Sequence, residues 1–135
     1  MRVAFGTDEM TPALEELVVD LKRNGHEVLM AAVDQPWAET GTTVGRLVAG
    51  GEADTGIVCC FTGTGVSMAA NKVNGVRAAL CVDAETARGA RKWNDANVLA
   101  LSLRLISAEL AREITEAFFR TAFDPTEAEQ VALLS

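Results

Sequence analysis

Cys60 closes an apolar run over residues 56–60, and the turn Phe61-Thr62-Gly63-Thr64-Gly65 follows before helix-forming residues start at Val66. The pattern reads as a buried strand, a loop and a helix start. A thiol at a strand end is a candidate nucleophile or base. The loop's backbone N–H groups, at the N-terminus of the next helix, form a ready cradle for an anion. In open α/β sheets ligands bind just beyond the carboxyl ends of the strands, where this loop falls. A cysteine in a strand also serves as a small buried apolar residue, so the fragment alone leaves both readings open. The loop is no phosphate-loop NTPase motif, because no Gly-Lys-Ser/Thr follows the glycines. Gly63-Thr64-Gly65-Val66-Ser67-Met68 also misses the GxGxxG spacing.

The other candidates are fewer. Asp8 follows the first short apolar run, 2–6, and so sits on a strand-to-helix turn. His26, the only histidine, opens the second strand at the opposite end of the sheet and reads as structural or exposed. With no CxxC and one histidine, a zinc site is improbable on spacing. Cys59 and Cys60 should point to opposite faces of their strand. Three cysteines, two adjacent, do not resemble a disulfide framework, so a reducing cytoplasm is expected. The net charge of −7 argues against nucleic acid or an anionic membrane surface as partner. It leaves room for a small anion held by local arginines. No stretch reaches the length of a membrane span, and residues 1–10 hold no signal-like apolar segment.

Five strand-then-helix units position these residues. Strands are expected over 2–6, 26–33, 56–60, 77–82 and 97–102. Leu14, Leu17, Val18 and Leu21 mark the first helix, which stops at Asn24-Gly25. Pro36 and Trp37 fall in a loop over 34–43, near the same end of the sheet as Cys60, where Trp37 could line the pocket; a helix over about 42–49 closes on Gly50-Gly51. The helix after Cys60 stops at Asn74-Gly75. Asp83 caps the fourth helix, and Ser107 caps a fifth that carries Leu110, Ile114, Ala117 and Phe118 on one face. The expected fold is one α/β domain over residues 1–135, a three-layer Rossmann-like arrangement with a five-stranded parallel sheet.

With those elements assigned, the chain resembles the type B ribose-5-phosphate isomerase and galactose-6-phosphate isomerase family. The likeness is carried by AFGTD at 4–8, GGEADTGIVCC at 50–60, TGTG at 62–65, SMAANKVNGVRAALC at 67–81 and WNDANVLAL at 93–101. It implies a cytoplasmic homodimer or larger oligomer with active sites shared between subunits. It implies aldose–ketose isomerisation of a sugar or sugar phosphate through an enediolate, with no metal and no cofactor. Cys60 matches the family's catalytic base, which the helix N-terminus behind it would favour as thiolate. Thr62 matches a loop hydroxyl that handles the sugar ring. Phe61, Gly63, Thr64, Gly65 and Ser67 match the anion-hole loop. Asp8 and Asn94 match groups that bind substrate hydroxyls, and Arg104 matches an arginine that holds the phosphate. Arg88 and Arg91 fit exposed helix charges better than a site.

The departures are as informative. Glu9 stands where the family has a histidine beside the aspartate, and Trp93 where it has the ring-opening histidine. Phe61 replaces the glycine after the cysteine, and the acidic FDPTEAEQ at 123–130 replaces a GGRH phosphate segment. Residues 123–135 are expected to pack as a tail on a partner subunit. These changes leave open a substrate of unusual kind or one without phosphate, a non-catalytic or heteromeric sugar-phosphate-binding subunit, and a sugar epimerase.

Overall fold

The computed structural model describes residues 1–134. Five strands alternate with helices: β1 (Arg2–Thr7), α1 (Pro12–Arg23), β2 (Glu27–Val33), α2 (Trp37–Ala49), β3 (Thr55–Cys60), α3 (Thr64–Asn71), β4 (Ala78–Leu80), α4 (Ala84–Asn94), β5 (Val98–Ser102) and α5 (Ala108–Arg120). A 3-10 turn, Pro125–Glu127, and a short α6, Ala128–Ala132, follow. All strand pairs are parallel, in the order β2-β1-β3-β5-β4. The expected three-layer α/β fold is therefore present.

Strand alternation sorts the core into two clusters. Val3, Phe5, Ile57, Cys59, Leu99 and Leu101 pack with side chains of α1, α4 and α5. Ala4, Val58, Cys60, Val98 and Ala100 pack with α2 and α3 on the other face. Every residue of β3 is buried, as a central parallel strand covered on both sides requires. Phe5, Leu99, Leu101 and Phe118 are sealed from solvent; each such side chain contributes about 1.5–3 kcal/mol.

The capping chemistry read from the sequence holds. Asp83 and Ser107 accept from the N–H groups of Thr86 and Leu110. Asn24 and Gly50 are C-caps, each followed by a glycine of positive φ, Gly25 at 89° and Gly51 at 81°.

Three boundaries differ from expectation. α2 begins at Trp37, not near Thr42, so Trp37 lies on a helix. Gly41, Thr42 and Thr43 are poor helix formers, but packing overrides propensity here. A Cβ at Gly41 would stand 2.6 Å from the Val66 carbonyl oxygen and 2.7 Å from Ala69 Cβ, so glycine allows α2 to lie directly on α3. α3 ends at Asn71, before Asn74-Gly75, because the Asn71 side chain turns to the edge of the sheet. It donates to the Ala78 carbonyl at 2.9 Å and accepts from the Ala78 N–H at 2.7 Å, occupying the free edge of β4. β4 itself is only three residues long, shorter than the expected 77–82.

Candidate active site

The order β2-β1-β3 reverses direction between β1 and β3, and a crevice at such a switch point is where open α/β sheets bind ligands. Asp8 leaves β1 and Cys60 ends β3 at this point. The Asp8 N–H donates to the Cys59 carbonyl at 3.1 Å, which fixes the two strand ends together. Asp8, Trp37, Cys60, Phe61, Thr62, Thr64, Gly65 and Met68 line an open cleft there.

The adjacent thiols separate as the strand period requires. Cys59 enters the α1/α5 core and is fully buried, and burial pushes its thiol far above the ordinary value. Cys81 is likewise buried, and burial raises its thiol to about 12. Cys60 is 5% exposed and borders the cleft. It alone of the three thiols combines core support with access to a ligand.

The loop after Cys60 is held by β5. Leu103 N–H donates to the Cys60 carbonyl at 2.9 Å, Arg104 N–H to the Phe61 carbonyl at 3.0 Å, and Ser102 Oγ to the same Phe61 carbonyl at 3.1 Å. Gly63 then turns the chain into α3 with φ 78°. A Cβ there would meet Leu80 at 2.5 Å and Leu101 backbone at 3.0 Å, so both the left-handed backbone and the available space require glycine. No side chain caps α3. The N–H groups of Thr64, Gly65 and Val66, in the first turn of α3, have no intrahelical acceptor, and Thr64 and Gly65 line the cleft with Cys60. Thr62 and Thr64 hydroxyls pair at 2.8 Å above them.

Asp8 supplies a poised carboxyl. Its Oδ1 is buried without a hydrogen-bond partner. Burial first, and the neighbouring Glu9 charge second, hold the group above its usual 3.8. Asp8 lines the cleft, so this buried, unpaired acceptor sits at the edge of the candidate site.

One chain gathers most of the expected residues, but not all. Asp8, Cys60, Phe61, Thr62, Thr64 and Gly65 share the cleft. Gly63 lies beneath it, Ser67 sits one step further along α3, and the Arg104 backbone touches Phe61. Glu9 is exposed beside Asp8 and is not part of the cleft lining. Trp93 and Asn94 stand elsewhere. They end α4, next to Asn97, whose carbonyl accepts from Thr55 and Gly56 at the start of β3. Cys60 is at the other end of that strand, roughly 16 Å away. The polar run around them is largely a clamp. Asp95 pairs with Arg77 at 3.2 Å and Arg91 at 3.0 Å, and Asn97 accepts from the Arg77 N–H at 2.7 Å. Trp93, 51% exposed, and Asn94 are left facing outward. Arg91 is spent on this clamp and Arg88 pairs with Glu85, so neither belongs to the cleft.

Trp37 and Met68 are cleft residues with weaker sequence signals. The Trp37 ring covers Gly65, where a Cβ would come within 2.8 Å. Met68 was not anticipated; its spacing of four from Thr64 puts both on one helical face.

A family model described as Ribose/Galactose Isomerase matches residues 3–133. The chain belongs to the ribose/galactose isomerase family. Ribose-5-phosphate isomerase B of Escherichia coli K12 is 37% identical over 128 residues, covering 91% of this chain and 86% of the relative. D-erythrulose-4-phosphate isomerase of Pectobacterium atrosepticum is 35% identical over 130 residues, covering 92% and 86%. The solved structure of Clostridium thermocellum ribose-5-phosphate isomerase B superposes with a TM-score of 0.92 at 34% identity, covering 99% of this chain and 95% of that one. As a member of this family the protein is an enzyme, an aldose–ketose isomerase of sugar phosphates.

Proposed function

We propose that Cys60 is the base that carries the isomerisation. The observation that supports this most is its position: a thiol at the exit of β3, on the cleft, beside the uncapped start of α3. The Cys60 thiolate removes the proton from the carbon next to the substrate carbonyl. The developing enediolate oxygen is met by N–H groups of Thr64, Gly65 and Val66. The thiol then returns the proton one carbon over, converting aldose to ketose or the reverse. Asp8 accepts a hydrogen bond from a substrate hydroxyl, Thr62 and Thr64 border the reacting oxygens, and Arg104 holds the phosphate. The names of the relatives, ribose-5-phosphate isomerase B and D-erythrulose-4-phosphate isomerase, support testing five-carbon and four-carbon sugar phosphates.

The site is completed by a second copy of the chain in a homodimer. Trp93 and Asn94, exposed at the far end of β3, reach the Cys60 cleft only from a partner. Exposed apolar side chains support such a contact: Phe61 and Met68 at 64% each, Leu133 at 78% and Leu134 at 62%. The tail over 123–135 packs on the partner in this reading; its last residue, 135, lies outside the described residues. Its start is tied to its own α4 through the Asp124 N–H and the Lys92 carbonyl. Three unpaired thiols suit work in the reducing cytoplasm.

The test is a panel of tetrose, pentose and hexose phosphates incubated with enzyme in deuterated water. The expected result is aldose–ketose conversion with deuterium entering at the exchanged carbon. No conversion and no exchange for any sugar phosphate would sink the reading.

A further inference from the structure

The chain leaves β3 with two successive carbonyls turned the same way. Along a strand between two parallel neighbours the carbonyls alternate sides. The Cys59 carbonyl accordingly faces β1, where it accepts from the Asp8 N–H, and the Cys60 carbonyl faces β5, where it accepts from the Leu103 N–H. The Phe61 carbonyl does not swing back. It also faces the β5 side and accepts from the Arg104 N–H at 3.0 Å. Each peptide is trans, so its N–H points opposite to its carbonyl. The N–H groups of Phe61 and Thr62 are therefore both aimed away from β5, to the side of β3 on which β1 and Asp8 lie. Among the described residues neither donates to an acceptor in the chain. Successive N–H groups turned one way form an anion-binding concavity.

Ser102 holds this departure from the strand pattern in place. It stands opposite Cys60 in the register of β3 with β5, about 4.8 Å away across the sheet. Two residues on from Ala100, its side chain falls on the same face as that of Cys60. The residue is 2% exposed, and its hydroxyl donates to the Phe61 carbonyl at 3.1 Å. The Arg104 N–H alone would let the peptide pivot about one bond; a second donor fixes its plane. The loop's own side chains do not: Phe61 is 64% exposed, and the Thr62 and Thr64 hydroxyls bond to each other. The Ser102 carbonyl accepts from the N–H groups of Leu105 and Ile106, at 3.1 and 3.2 Å, and so closes the turn that carries Arg104.

Building on the reading of Cys60 as base, we propose that Ser102 is a positioning residue for the isomerisation: its hydroxyl keeps the Phe61–Thr62 peptide turned so that the Thr62 N–H faces the oxygen on which negative charge develops. Ser102 touches no substrate and acts through the peptide that follows the base. Without the hydroxyl the peptide rocks on the Arg104 bond, and its N–H is misaimed when the enediolate forms. The bound carbonyl compound carries no full charge on that oxygen, so the loss falls on the transition state and not on ground-state binding.

The experiment compares Ser102→Ala and Thr55→Val with wild type on a sugar phosphate that the panel shows to be converted. Thr55 is the matched control, 6% exposed, its hydroxyl donating to the Asn97 carbonyl at 3.1 Å at the opposite end of β3. Ser102→Ala should lower kcat about tenfold with KM within about twofold of wild type, less than the loss of a whole oxyanion donor because the Arg104 bond remains. Deuterium entry at the exchanged carbon should slow in step. Thr55→Val should lose a similar amount of Tm and keep kcat within about twofold. A kcat for Ser102→Ala near that of wild type, a loss confined to KM, or an equal fall of kcat in both variants overturns the proposal and leaves Cys60 as base untouched. If wild type exchanges hydrogen on no sugar phosphate, the isomerase reading itself fails and the proposal fails with it.

Discussion

Asp8 and the two adjacent thiols show how residue chemistry here depends on a few ångströms of placement. Asp8 is held above its usual 3.8 by burial and then by Glu9. A carboxyl raised in the folded state binds its proton more tightly there than when unfolded. Stability therefore falls as pH rises from the unfolded value through the folded one. Asp8→Asn removes that charge. Its Tm should exceed wild type at pH 7, with the gain vanishing as pH is lowered below 3.8; calorimetry across pH checks this. The same variant should raise KM about tenfold, since a charged acceptor for a substrate hydroxyl is lost. The Cys60 side of the cleft was legible in the sequence, because a strand end, a loop and a helix start are contiguous from Cys60 to Ser67. Trp37 was legible as a pocket wall from its place after β2 at the same end of the sheet; Met68 was not, because side chains from two helices meet only after α2 docks on α3.

At the scale of elements, the α2–α3 contact decides the shape of the cleft. Strands and most helices were readable from apolar period and caps, as Asp83 and Ser107 illustrate. The start of α2 was not, since Gly41 disfavours a helix by itself and serves one only through tertiary packing. Gly41→Ala should force α2 away from α3, because the new Cβ meets backbone at 2.6 Å. The expected cost is about 2 kcal/mol of stability, read by urea denaturation. A fall in kcat/KM should accompany it, because Trp37 and Val66 move with the two helices. Unchanged stability and activity would mean that this packing does not shape the site.

The whole molecule poses the question of where a complete active site exists. The family resemblance implies Trp93 and Asn94 as site residues, yet the fold sends them to the other end of β3 from Cys60. Sequence alone does not state which copy of a chain a residue serves. In the proposed homodimer, Cys60→Ala and Asn94→Ala should each impair activity. Mixed by unfolding and refolding together, they should form hybrids in which one of two sites is intact, restoring roughly a quarter of wild-type activity. Absence of any recovery would mean that Asn94 acts within its own chain or not at all.

The assignment of Cys60 as base is tested most directly by hydrogen exchange at the reacting carbon. Wild-type protein and the Cys59→Ala control, incubated with the substrate found in the panel in deuterated water, should both incorporate deuterium. Cys60→Ala, shown folded by circular dichroism, should exchange slower by about a thousandfold. A folded Cys60→Ala protein that incorporates deuterium at the wild-type rate would contradict the account.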